Sequence, residues 1–98
     1  MSKVSRIIIT EVIDWQGLSL SVTFDSDWSG LGYVAHLEVV TVKPDRAPTP
    51  ISGTGYKSHF LPVNEIENAQ ELRQYVLAWL AEAAKSADWR ANAQLSLF

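Results

Sequence analysis

No cysteine occurs in the 98 residues. That excludes disulfides, thiolate metal sites and cysteine nucleophiles, and it fits a reducing compartment. Long apolar runs are missing too. The amino end, MSKVSRIIITEV, offers three consecutive isoleucines, far short of a signal-peptide core or a membrane span. The sequence therefore reads as soluble, cytoplasmic and without membrane contact. Basic charge is scarce: eight Lys and Arg against eleven Asp and Glu leave a net charge of −3. A protein that binds by neutralising phosphates carries the opposite surplus, so no direct nucleic-acid binding is expected. No repeat or low-complexity tract is present.

What is present suffices for one folded domain. Hydrophobic residues make up 47% and charged residues 19%, the balance of a globular chain large enough to bury a core. RIIITEVIDW (residues 6–15) is rich in β-branched and aromatic types that suit a pleated surface. LSLSVTF (18–24) alternates strictly, with Leu18, Leu20, Val22 and Phe24 on one face and Ser19, Ser21 and Thr23 on the other, the pattern of a half-buried strand. Gly17 lies between these runs, where a tight hairpin requires positive φ. DSDWSGLG (25–32) is a polar loop, YVAHLEVVTV (33–42) a third strand, KPDRAPTPISGTG (43–55) a surface connection, and YKSHFL (56–61) a fourth strand at or near an edge. Glu11 fits poorly, because it shares a face with Ile7, Ile9 and Ile13; a bulge or an edge position would resolve this.

After Pro62 the period becomes helical. Leu72, Val76, Trp79, Leu80 and Ala83 form a stripe flanked by Tyr75. Asn68 with Glu71 has the form of a capping pair, and Asn64 with Glu67 offers a competing start one turn earlier. The helix is predicted from residue 66 or 69 to 86. The stripe needs a partner, and the apolar sheet face supplies one. The expected fold class is α+β: an antiparallel sheet of about four strands in the order β-β-β-β-α, with one C-terminal helix packed across one face and a short tail behind it. Residues 1–87 form a single domain on this reading, and 88–98 a tether and linear motif.

The domain names little chemistry. His36 and His59 lie on neighbouring predicted strands, and with Glu38, Asp25 or Asp27 they could make a zinc-like site. No ligand spacing matches a metal pattern, and His36 and Glu38 equally share the solvated face of strand three. Neither histidine has an identifiable nucleophile or orienting carboxylate. SGTG (52–55) leads into a strand rather than a helix, which makes it a turn instead of a phosphate cradle. Trp15, Trp28, Tyr33 and Tyr56, with Lys57 nearby, could stack on bases; in an acidic chain, core and hairpin-edge packing is the expected role. The reading is non-enzymatic, with no catalytic residue, no metal and no cofactor.

TGYKSHFLP (54–62), AHLEV (35–39) and YVLAWL (75–80) together resemble a group of small bacterial proteins from plasmids and mobile elements. The likeness spans about residues 5–85; it implies a mobile-element setting and no activity.

The chain ends on QLSLF. This resembles the pentapeptide by which bacterial proteins dock on the DNA polymerase sliding clamp, favoured as Q-L-[S or D]-L-F. All five positions match: Gln94, Leu95, Ser96, Leu97 and Phe98. A given window meets that pattern by chance on the order of once in 10⁵–10⁶. The resemblance implies that Gln94 hydrogen-bonds at one subsite and that Leu97 and Phe98 enter an apolar pocket. Leu95 is then a lesser contact and Ser96 a spacer. SADWRANA before it reads as a tether, with Trp89 on the domain or on the partner. The same alternation would also suit a fifth strand with Leu95 and Leu97 in the core. The partner would in that case be unrelated to replication, such as a host-defence component.

Overall fold

The computed structural model describes residues 6–86 and Trp89. Four strands and one helix follow the expected order: β1 Ile8–Trp15, β2 Leu18–Asp25, β3 Val34–Lys43, β4 Tyr56–Pro62 and α1 Ala69–Ala83. The strands form an antiparallel meander, β1-β2-β3-β4, so the fold is α+β. Gln16 and Gly17 close the β1–β2 hairpin with φ of 47° and 84°. Two positive values in a two-residue loop match the strand twist, and glycine accepts the second without steric cost.

Pairing fixes the faces. Ile13 lies opposite Leu20, Glu11 opposite Val22 and Ile9 opposite Phe24. Val22 and Phe24 in turn face Val39 and Leu37. Leu20, Val22, Phe24, Ala35, Leu37 and Val39 are fully buried, and Leu72, Val76 and Leu80 of α1 close over them. Ile66, between β4 and α1, joins this core although its neighbours Glu65 and Glu67 are exposed. Trp79 and Tyr75 pack against the core only partly buried, so Leu72, Val76 and Leu80 are the centre of the stripe.

Glu11 is accommodated by the edge, not by a bulge. β1 is a border strand with continuous register, and the Arg73 guanidinium of α1 donates to Glu11 Oε1 at 2.6 Å. The register shift falls instead at Ser19/Leu20 against β3, where Lys43 and Thr41 are the successive partners and Val42 is passed over.

Asn68 caps α1, its Oδ1 accepting the Glu71 N–H at 2.8 Å, while Glu71 Oε1 accepts the Glu67 N–H at 2.8 Å. This selects Ala69 over the earlier start; Asn64 is outside the helix with φ 70°. The helix ends at Ala83, three residues before the expected 86. Lys85 and Ser86 donate to Glu82 and Ala83, the tightened i→i−3 pattern of a final turn. In the β3–β4 connection, Gly55 has φ 74°, and a Cβ there would sit 2.5 Å from the Arg46 carbonyl carbon. Only glycine fits.

Candidate functional site

One sheet face carries α1. The other, with Ile8, Thr10, Val12, Ser21, Thr23, His36, Glu38, Val40, Tyr56 and Phe60, is not covered by a layer among the described residues. At one end of this open face three rings meet. Trp28, from the β2–β3 loop, is 5.1 Å from Phe60 of β4 in an edge-to-face arrangement at 73°. His36 of β3 lies 4.8 Å from Phe60 and 6.0 Å from Trp28. The Trp28 N–H donates to the Val34 carbonyl at 2.9 Å, which folds the loop back over the sheet.

Despite these contacts the rings remain open to solvent: Trp28 is 53% and Phe60 50% exposed, and Leu31 and Tyr33 of the same β2–β3 connection reach 70% and 77%. Core and hairpin-edge packing was expected for Trp28 and Tyr33; Trp28 packs at the β2–β3 hairpin against His36 and Phe60, while Tyr33 is largely exposed. Tyr56 also faces solvent, with the Arg46 guanidinium 5.6 Å above its ring and its hydroxyl donating to Glu38 at 2.8 Å. That bond to a carboxylate raises the Tyr56 pKa above its ordinary value of 10.0. Trp15 packs against the core, half-buried and 6.0 Å from Trp89. Beside the cluster, Ile7, Ser26, Asp27, Gly32, Val63, Asn64 and Glu67 line a recess of ≈ 380 Å³. Exposed aromatic rings, clustered as Trp28 and Phe60 are with His36, are common at protein-binding surfaces.

The histidines and carboxylates weighed as metal ligands do not converge among the described residues. His36 is on the open face and His59 on the helix face, because His36 pairs with Phe60 and Leu37 with His59. His59 packs 4.6 Å from the Trp79 ring, with Nε2 3.2 Å from the Tyr75 hydroxyl. Burial, then the electrostatic influence of Lys57 and His36, lowers its pKa from 6.5. Asp25 is held by Arg6, whose hydrogen bonds depress the carboxyl below its ordinary 3.8. Asp27 accepts the Gly32 N–H at 2.7 Å, and Glu38 is occupied by Tyr56. His36 Nε2 lies 2.6 Å from Ser58 Oγ, a nucleophile–base contact on the uncovered face of the sheet. One Asp25 oxygen serves both Arg6 and the Asp27 N–H and the other serves Arg6, so Asp25 orients no imidazole. The His36–Ser58 contact joins β3 to β4.

SGTG forms the expected turn. Ser52 Oγ accepts the Tyr56 N–H at 3.2 Å, fastening the start of β4. The linear motif, Gln94 to Phe98, lies outside the described residues, as do 87, 88 and 90–93 of the tether.

Phe60 is the residue the sequence did not point to. It alternates with Leu61, which is buried, and that phase was the available signal. Among the described residues no helix is long and apolar enough to cross a membrane. The family model described as the KlcB third domain matches residues 8–89. No curated protein and no solved structure matches the chain.

Proposed function

The chain belongs to the KlcB third-domain family, and from that premise we propose that it is a small non-enzymatic binding protein that docks on the bacterial DNA polymerase sliding clamp through Gln94–Phe98. One observation carries this reading. All five positions of the clamp-docking pattern are met, in a segment that begins after the family match ends at residue 89. The motif is thus separate from the common domain. A plasmid or mobile-element setting agrees with both the family and the resemblance in residues 54–62, and such elements depend on host replication. Leu97 and Phe98 contribute roughly 3–6 kcal/mol of gross burial. Ordering the tail offsets part of this, which leaves an affinity on the order of micromolar.

The open face supports a second contact. Trp28, Tyr33 and Phe60 are exposed aromatic residues of the types enriched at protein interfaces. The tail then places the domain on the clamp, and the aromatic face either recruits a further protein or obstructs other clamp clients. Calorimetry with purified bacterial clamp tests the tail. The intact chain should bind at micromolar affinity, while a chain ending at Ala93, or Leu97→Ala with Phe98→Ala, should not bind and should melt as the parent does. Gln94→Ala should weaken binding less, since water replaces part of its hydrogen bonding. An intact chain giving no heat, together with a truncated chain that melts far earlier, would assign the tail to the fold and the partner to another process.

A further inference from the structure

The two borders of the sheet are built differently. β4 is blunted: Lys57 lies on it, Pro62 ends it, and Ser52 Oγ occupies the Tyr56 backbone N–H and carbonyl. Charge, proline and side-chain caps are the devices by which border strands avoid further pairing. β1 has no proline and, among the described residues, no side-chain cap on its backbone, and its only charges are the carboxylates of Glu11 and Asp14. Its eight residues, IITEVIDW, contain no Lys, Pro or bulge, and its register against β2 is unbroken. Its outer side pairs with no strand among the described residues. Both of its carboxylates are engaged within the domain, Glu11 by Arg73 and Asp14 by the Ser19 hydroxyl. On the open face it displays Ile8 and Val12, 62% and 59% exposed.

We infer that the outer edge of β1 is a homodimer interface, pairing antiparallel with β1 of a second copy to give a continuous eight-stranded sheet. Self-complementarity argues for a second copy as the occupant. A two-fold axis through Thr10 sets Ile8 opposite Val12 of the other chain and Val12 opposite its Ile8, so the two exposed apolar residues cover each other. On the helix face the same register sets Ile9 opposite Glu11. Moving the axis to Glu11 would place two carboxylates directly opposite, which is unfavourable. Moving it to Val12 would leave Ile8 without an apolar neighbour.

The axis is normal to the sheet, so both helices stay on one side. They add contacts there, because α1 leans over β1 through the Arg73–Glu11 pair. Edge pairing of this length buries on the order of 1,000 Å² in total, at the lower end for specific interfaces. The dimer is therefore a concentration-dependent one. It does not rest on the tail.

Sedimentation equilibrium of the full chain from about 1 to 200 µM, with oxidative cross-linking, tests the interface. Val12→Lys and Ile8→Lys, both on the solvent face, should raise the dimer dissociation constant at least tenfold while leaving the melting temperature of dilute protein unchanged. The natural chain has no cysteine, so cross-links report register directly. Thr10→Cys should oxidise to a covalent dimer, and a mixture of Ile8→Cys and Val12→Cys should cross-link where neither does alone. A full chain that stays monomeric throughout the range would overturn the inference. So would a dimer indifferent to both lysine variants, or dimerisation only after truncation at Ala93, which would make the chain's own tail the occupant of β1.

Discussion

Thr41 is 1% exposed at the β2–β3 register shift, yet its hydroxyl has no hydrogen-bond partner among the described residues. A buried, unpaired hydroxyl costs about 1–3 kcal/mol, and an apolar group of the same shape removes that cost. Thr41→Val should therefore stabilise the domain by about 1 kcal/mol, visible as a melting temperature several degrees higher. On the helix the ranking of the stripe is reversed from what residue size suggests. Leu80 is fully buried, whereas Trp79 keeps one side toward solvent against His59. Leu80→Ala should cost about 2–5 kcal/mol in denaturant unfolding, and Trp79→Ala less than the ~3 kcal/mol of a fully enclosed aromatic. His59 supplies a pH dependence. Burial holds its folded-state pKa below 6.5, so as pH falls through 6.5 the unfolded chain takes up a proton that the folded chain refuses. Stability is present above that value and declines below it. Thermal melts from pH 8 to 5 should fall progressively, and His59→Gln should flatten the decline. The Arg6-held Asp25 acts in a separate window, losing its contribution only as pH drops below 3.8.

At the scale of elements, α1 depends on its first turn. Asn68 holds the Glu71 N–H, and no basic residue offsets the dipole in the last turn. Asn68→Ala should cost about 1 kcal/mol by thermal or chemical melt. The elements themselves were readable because each carries its own period: LSLSVTF alternates strictly, and Leu72, Val76 and Leu80 recur at helical spacing. The open-face cluster was not readable in that way. Trp28 and Leu31 belong to an aperiodic loop that assigns no face, Tyr33 was read as the first residue of the third strand whereas β3 begins at Val34, and Phe60 is outward only through its register against His36. Ile66 was equally hidden, an isolated apolar residue among carboxylates whose burial depends on where the β4–α1 connection crosses. Glu11 was legible as a problem but not as a solution, since Arg73 is 62 residues away. The clamp-docking reading comes wholly from consecutive residues, which is why a linear motif can be read without the fold.

For the whole molecule, the contact between Trp15 and Trp89 sets a leash. Trp89 rests at the β1–β2 hairpin end, and from residue 89 to residue 94 even a fully extended chain spans at most about 17 Å. A tail seated on the clamp would confine the domain to that radius around the pocket and make its local concentration there on the order of millimolar or more. A body held so close occludes neighbouring ground whether or not its aromatic face touches anything. Inserting about 20 Gly/Ser residues between Trp89 and Gln94 should leave the tail's affinity nearly unchanged while readmitting a second client protein to the same clamp face, measured by competition. Four intervening residues would thus turn a short adhesive peptide into a steric shield, with the folded domain acting through its bulk alone.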